Sequence, residues 1–387
     1  VGEQVPGLVV LVTGVNRFVG SELAGRLAAH PGVARVIGVD ATLPEPAART
    51  RMGGAEFARA DIRNPLVSRI LEAAGVDTVV HASASASPAS SQARTLAKEM
   101  NVLGTMQLLA ACQRSGEVRN LIVRSTTAVY GQSYKDPAIC TETTEPRSVP
   151  GRGPARDAID IEGYVRGFAR RRPDVRVAVP RLAEVVGPTV QTPLTRYFSL
   201  SPVVPTVLGH DVRLQLVHEN DAVRLLEHLV FAPVRGTVNV AGDGVLMLSQ
   251  AIHRAGRIPL PLPLSMLDTV GRGLRALRLG TFSPEQVRML QAGRVVDTTR
   301  LRDEVGFVPE FSTAAAFDDF AHTLEPTVDR DTVRRAETRL LAGLGVTDDL
   351  RPDGPPTATP DLVPTVPRLV GIPGHRVGPP RAARRTR

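Results

Sequence analysis

From residue 8 onward, short apolar runs alternate with stretches whose apolar residues recur every three to four positions. Leu8–Thr13 reads as a strand. Val19, Leu23 and Leu27 behind it share one face of a helix that Pro31-Gly32 ends. Further strands are expected over Arg35–Asp40, Glu56–Ala60, Thr78–His81, Asn120–Ser125 and Val175–Val179. A long helix is expected from about Ser91 to Ser115, with Val102, Met106 and Leu109 on one face. The next helix carries Ile161, Val165 and Phe168, and its basic end at Arg170–Arg172 suits the helix dipole. Strict βα alternation forces parallel strands with helices on both faces, so the expected class is α/β with a doubly wound sheet. After Pro188 this regularity gives way to proline-rich stretches and short helices. One is signalled by the N-cap, first-turn proline and capping-box glutamine of Ser283-Pro284-Glu285-Gln286, another spans Thr299–Val305, and residues 333–344 form a third.

The implied organisation is a nucleotide-binding domain over 7–188, with 210–242 returning to it. A smaller C-terminal substrate domain takes 189–209 and 243–325. A terminal helix is expected over 326–350 and a disordered Pro/Arg-rich tail over 351–387.

The net charge of +8 raises the question of nucleic acid. Residues 351–387 hold seven arginines against Asp353 and Asp361, so most of the excess lies in the tail, a composition typical of solvated chain. Aromatic residues are too sparse to offer stacking platforms for single strands, and no nucleic-acid partner is expected. No apolar run is long enough to span a membrane. The early strand, without a basic flank and cleavage site, argues against a signal peptide. Cys112 and Cys140 are too few for a disulfide scaffold and lack metal-ligand spacing, so no metal is expected and a reducing cytoplasm is the natural compartment. Between Pro263 and Gly280, Leu267, Val270, Leu274 and Leu277 interleave with Arg272, Arg275 and Arg278. Such a helix packs on its own domain or lies on a membrane surface.

The first βα turn, Thr13-Gly14-Val15-Asn16-Arg17-Phe18-Val19-Gly20, stands between a strand and a helix, where backbone amides face a pyrophosphate. Gly14 and Gly20 take the outer glycine positions. Asp40, at the end of the second strand, can accept hydrogen bonds from an adenosine ribose and repels a 2′-phosphate. These features predict a Rossmann site for NAD, with NADP less favoured.

The ordered series continues with Asp61-Ile62, His81-Ala82-Ser83, Asn101-Val102-Leu103-Gly104-Thr105 and Ser125-Thr126-Thr127-Ala128-Val129-Tyr130-Gly131. Then come Arg181, Gly187-Pro188, Val217-His218-Glu219-Asn220-Asp221, and Asp297-Thr298-Thr299-Arg300-Leu301 with Gly306-Phe307-Val308-Pro309. Over residues 7 to 322 the chain resembles the extended short-chain dehydrogenase/reductases, the NAD-dependent epimerase/dehydratase family. The resemblance implies oxidoreductase or isomerase chemistry on a small molecule, a nucleotide sugar or a similar hydroxylated compound, and is compatible with a homodimer. It also implies that Asp61 and Ile62 border the adenine. His81, Ala82 and Ser83 would line the dinucleotide, and Thr126 would hydrogen-bond the reacting hydroxyl.

Two departures stand out. The family's middle glycine is Arg17, which either obstructs the pyrophosphate or pairs with its charge. The Tyr-x-x-x-Lys pair is absent: Lys98 and Lys135 are the only lysines, and neither follows a tyrosine by four. The matching positions fall on Pro154/Ala158 or Ala155/Ile159. Asp157, Asp160 and Tyr134 are candidate substitutes; Cys140 has no visible activating partner. Arg213 is the candidate substrate arginine, although the family position, four before His218, holds Leu214. The alternative to an enzyme is a degenerate member that binds a dinucleotide or a partner without turnover.

Overall fold

The structure, a computed structural model, describes residues 7–82, 98–131, 137–146, 153–263, 265–266, 293–325 and 339. Its strands are β1 (Leu8–Thr13), β2 (Val33–Asp40), β3 (Glu56–Arg59), β4 (Thr78–His81), β5 (Asn120–Val123), β6 (Ser125–Thr126), β7 (Arg176–Leu182), β8 (Glu184–Val186), β9 (Val203–Val207), β10 (Arg213–Leu214), β11 (Leu216–His218), β12 (Gly236–Val240), β13 (Leu246–Met247) and β14 (Ile258–Leu262). The helices are α1 (Phe18–Ala29), α2 (Pro46–Met52), α3 (Leu66–Ala74), α4 (Gly104–Arg114), α5 (Pro154–Arg171), α6 (Pro193–Phe198), α7 (Glu219–Phe231), α8 (Leu248–Arg254), α9 (Thr299–Asp303) and α10 (Thr313–Ala321).

The main sheet is parallel, in the order β12-β7-β5-β4-β1-β2-β3. Side chains of β1 alternate between two apolar layers. Val10 and Val12 meet Val19, Leu23 and Leu27 of α1 and Val223, Leu226 and Val230 of α7. Leu11 enters the opposite layer with Leu71 of α3, Leu108 and Cys112 of α4, and Val165 and Phe168 of α5. Burial on both faces explains why these strands read as continuous apolar runs. A second core joins Tyr197 and Phe198 of α6, Leu248 and Ile252 of α8, and Phe317 and Phe320 of α10. Edge-to-face ring contacts of 4.9 Å (Tyr197–Phe198) and 4.8 Å (Phe198–Phe317) help to order it.

Several boundaries differ from expectation. The second strand starts two residues earlier, at Val33. The fifth stops at Val123, and Ser125–Thr126 pairs separately with Arg181–Leu182. The register of the flanking pairs sets Arg124 opposite Pro180, which has no N–H to give to the ladder. The sixth runs on to Leu182, beyond the expected Val179. In place of one even helix before Ser115, a π-helical turn over Glu99–Leu103 leads into α4; residues 91–97 lie outside the described residues. So do Ser83, Tyr134, the 283–286 cap, 267–280 and the tail. The helix at Thr299 ends at Asp303.

The motif around His218 works as a clasp between segments distant in sequence. His218 meets Asp319 at 2.9 Å and stacks on Phe311 at 3.8 Å. Buried Asp221 accepts from the Glu310 and Phe311 amides at 2.9 and 3.0 Å. Glu219 accepts from the Val190 amide at 2.8 Å.

Candidate functional site

The carboxyl ends of β1, β4 and β5 lie in register, with Thr13 beside His81 and His81 beside Val123. The Gly14–Gly20 turn, Ala82 and Arg124, each leaving one of these strands, therefore gather at one edge of the sheet. Gly14 adopts φ 76°, and its amide donates to Val39 O at 3.0 Å, fixing the turn to β2. A Cβ on Gly20 would stand 2.3 Å from Gly14 O, so α1 can start this close to β1 only with glycine there.

Arg17 is the residue before α1. Its φ of −99° and ψ of 154° are ordinary for any residue, so the lost middle glycine leaves the backbone unstrained. The helix N-terminus has no side-chain cap and no acidic residue in its first turn, which leaves amide donors and a positive dipole end for an anion. Phe18 and Val19 form that first turn, Val19 buried beneath it. Asp40 ends β2 and accepts from the Asn16 amide at 3.1 Å, close to the turn that a ribose would meet.

His81 is buried with both ring nitrogens engaged, Nδ1 with Thr13 Oγ1 at 2.7 Å and Nε2 with Thr105 Oγ1 at 2.9 Å. Thr105 Oγ1 also donates to Asn101 O, so it must accept from His81. The proton therefore sits on Nε2, and the Thr13 hydroxyl donates to Nδ1. Burial lowers the imidazole pKa to about 4. His81 is a neutral tether between β1, β4 and the segment leading into α4, with no side-chain hydrogen-bonding capacity left for a ligand.

Asp61 holds Arg63 through both carboxylate oxygens, with Nη2–Oδ2 at 2.7 Å, and hydrogen bonds from Arg63 hold its pKa below the usual carboxylate range. Ile62 is buried beside it. Three buried polar atoms among the described residues lack any hydrogen-bond partner: Asn16 Oδ1, Asn101 Nδ2 and Arg124 Nε. All three belong to segments that leave this edge of the sheet, after β1, β4 and β5. Orphaned buried polar groups are rare because each costs about 1–3 kcal/mol. Asn101 Nδ2 and Arg124 Nε are donors and, with the open helix N-terminus, fit an anionic group in the crevice; Asn16 Oδ1 is an acceptor and fits a hydroxyl donor.

Thr126 caps the 3-10 turn Thr127–Tyr130, its Oγ1 accepting from the Ala128 amide at 3.2 Å. The hydroxyl proton remains to be donated. Beneath it lies a network the sequence did not announce. Buried Arg181 pairs with buried Glu162 through two hydrogen bonds of 2.9 and 2.6 Å. Ser125 Oγ donates to the same carboxylate at 2.6 Å. Burial opposes the Arg181 charge, yet the Glu162 carboxylate raises its pKa above the ordinary value. Arg181 also donates to the Tyr130 hydroxyl at 2.8 Å and lies over its ring at 4.8 Å. Tyr130 in turn donates to Asn239 Oδ1, and burial pushes its pKa up to about 12. It fastens the motif to the sheet.

Beside Glu162, α5 meets this motif through Ala158 and Ile159, which pack against a cluster containing Val129, Tyr130 and Cys140. These two are the alternative positions for the lysine of the missing pair, whose tyrosine position falls on Pro154 or Ala155. Of the expected substitutes, Asp160 is tied to Arg156 at 3.0 Å, Asp157 is buried, and Tyr134 lies outside the described residues; Cys140 is buried in the apolar cluster. Arg213 lies exposed on β10, while Leu214 is buried in the second core, so the two point to opposite sides. Sequence reading also missed Arg124, Glu184 and Arg294. Arg124 was marked only by a charge directly following the apolar run Leu121–Val123.

This geometry defines a Rossmann-type dinucleotide-binding protein. The profile of the NAD dependent epimerase/dehydratase family matches residues 10–240, and the chain belongs to that family. An uncharacterized protein of Mycobacterium tuberculosis is 47% identical over 335 residues, 86% of this chain and 89% of that protein. Among solved structures, UDP-glucose 4-epimerase of Thermotoga maritima with UDP-glucose superposes with a TM-score of 0.64 at 21% identity, covering 82% of this chain and 98% of that one. dTDP-glucose 4,6-dehydratase of Bacillus anthracis in complex with NAD gives 0.63 at 16% identity, covering 82% and 96%.

The depressed His81 pKa generates a pH prediction. Below pH 6.5 the unfolded imidazole takes up a proton that the fold refuses, so stability falls as pH drops from 6.5 towards 4. The loss reaches about 3 kcal/mol at the bottom of that window. Urea unfolding at a series of pH values should show this slope in the wild type and a flatter one in His81→Gln. Equal slopes in the two proteins would remove His81 as the cause.

Proposed function

We propose that the chain binds NAD in the crevice at the carboxyl edge of β1, β4 and β5 and presents a hydroxylated small molecule to it, a nucleotide sugar being the preferred class. The observation that carries this reading is the pair of orphaned buried donors, Asn101 Nδ2 and Arg124 Nε, on segments that follow β4 and β5, together with the uncapped N-terminus of α1 that follows β1; the orphaned acceptor Asn16 Oδ1 suits a hydroxyl donor. Thr13, Gly14, Arg17, Phe18, Val19 and Gly20 form the turn that would meet the diphosphate. Asp40 would take the adenosine ribose hydroxyls and disfavour a 2′-phosphate. Asp61 and Ile62 would border the adenine. Ala82 would line the dinucleotide through its backbone, and His81 through the structure it holds; Ser83 lies outside the described residues.

NAD, when bound, supplies a hydride acceptor. The Thr126 hydroxyl would donate a hydrogen bond to the reacting oxygen, and Arg213 is the candidate for the substrate's phosphate. Residues 189–209 and 243–325 would supply the substrate side. Cys112 and Cys140 are both buried and not joined in a disulfide, which suits a cytoplasmic setting. Among the described residues, no helix is long and apolar enough to cross a membrane.

A second reading, a dinucleotide-binding protein without turnover, is supported by the apolar packing of Ala158 and Ile159, the alternative positions for the lysine of the family's acid–base pair. Losing such a group costs about 10²–10⁴-fold in rate.

For assembly, we place a second copy of the chain on the α4–α5 face. Met106 and Tyr164 are exposed there beside a groove between the two helices. Sedimentation velocity should find a dimer that Tyr164→Glu weakens; a wild-type monomer at micromolar concentration contradicts this placement.

Calorimetry should find NAD binding tighter than NADP. A panel of UDP-, GDP- and dTDP-sugars, followed by NADH absorbance and product analysis, then separates the two readings. If the chain turns over, Thr126→Val should lower the rate by about tens- to hundreds-fold with NAD affinity nearly unchanged. NAD binding with silence across the panel favours the second reading. Tighter NADP binding would refute the role given to Asp40, and turnover that survives Thr126→Val would refute that given to Thr126.

A further inference from the structure

Arg124 occupies an unusual place for a cation. It leaves the carboxyl end of β5 one residue after Val123, and its amide donates to His81 O at 3.1 Å. The residue is half-buried, while its Nε is sealed from solvent and has no partner. Among the described residues its side chain makes no hydrogen bond and no ion pair. The nearby carboxylate, Glu184, instead has Arg294 at 3.8 Å, and Arg294 donates to Gly131 O at 3.2 Å. Burial lowers the Arg124 pKa to about 10, Glu184 opposes the shift, and the like charge of Arg17 adds to it. Arg17 projects from the glycine turn and is exposed. Arg124, with its sealed and unpartnered Nε, thus comes within electrostatic reach of the exposed Arg17, where the uncapped N-terminus of α1 adds further positive potential. Stability alone does not account for this arrangement, because an unpaired, partly desolvated cation beside a like charge is costly.

We propose that Arg17 and Arg124 form a two-arginine clasp for the diphosphate of the bound dinucleotide. Arg17 replaces by charge the close backbone approach lost with the middle glycine, and Arg124 closes on the same group from the end of β5. Guanidinium groups suit this because their forked donors match phosphate oxygens in pairs. The inference rests on the dinucleotide reading above and resolves whether Arg17 obstructs the crevice or serves it.

The test uses the full chain in calorimetry, with NAD, ADP-ribose, adenosine and UDP-glucose as probes at two salt concentrations. Arg124→Met keeps the length of the side chain, and Arg17→Gly restores the family's glycine. Each variant should bind NAD and ADP-ribose at least about tenfold more weakly, with a shallower salt dependence and unchanged adenosine binding. Arg124→Met without ligand should melt at or above the wild-type temperature, since a buried unpaired charge has gone. An Arg17→Gly variant that binds NAD equally or more tightly would show obstruction and overturn the clasp. An Arg124→Met variant that keeps wild-type NAD affinity would overturn it as well, as would a loss confined to UDP-glucose, which would assign the arginines to the substrate's diphosphate. A wild type that binds neither NAD nor ADP-ribose defeats the dinucleotide reading itself, an outcome distinct from a variant effect.

Discussion

A parallel sheet that places β1 between β2 and β4 must send the crossover from β1 to β2 and the crossover back into β4 to opposite faces, and the edge where they part cannot be covered by either. The rest of the site depends on this constraint. It leaves a crevice beyond Thr13, His81 and Val123, which stand in register across three neighbouring strands. The two-sided hydrogen bonding of His81 holds β1 and β4 together there and anchors the entry to α4. With the strands fixed, the glycine turn, Asn101 and Arg124 converge without any contact between residues close in sequence. An anion in the crevice would offset costs already built into the free protein: uncapped amides, the orphaned donors of Asn101 and Arg124, and the like charges of Arg17 and Arg124.

The segment that carries Thr126 follows a different principle. Glu162, Arg181, Tyr130, Asn239 and Ser125 form a closed polar network under the Thr126 segment, every member answered by another. Removing one partner of such a buried ion pair costs about 3–5 kcal/mol, so the network fixes the backbone that carries Thr126. The α5 face above it is filled by Ala158 and Ile159. Of the neighbouring carboxylates, Asp160 pairs with Arg156 and Asp157 is buried.

The sheet was legible because burial on both faces leaves continuous apolar runs, and because Gly14, Gly20 and Asp40 have local backbone or strand-end reasons to be where they are. Boundaries were less legible where a partner strand decides them. Arg124 leaves the ladder because Pro180 lies opposite, and no local signal in residues 120–125 carries that information. The resemblance implies that His81 lines the dinucleotide, but no local pattern shows that Thr13 and Thr105 occupy both of its nitrogens from 68 and 24 residues away. Arg124, Glu184 and Arg294 were missed for one reason: their significance is an imbalance of charge in space, and they come from three separate stretches of chain. Conversely, the missing dyad was fully visible in sequence, since two lysines can be checked against four tyrosines by counting.

The most direct measurement of the central claim is a crystal structure of the full chain grown with NAD. The account predicts the diphosphate against the Gly14–Gly20 turn, with Arg17 and Arg124 on its oxygens and Asp40 on the adenosine ribose. The nicotinamide would lie towards Thr126, facing the apolar Ala158 and Ile159. A dinucleotide bound elsewhere, or one in the crevice with Arg124 still unpartnered and Asp40 turned away from the ribose, would contradict it.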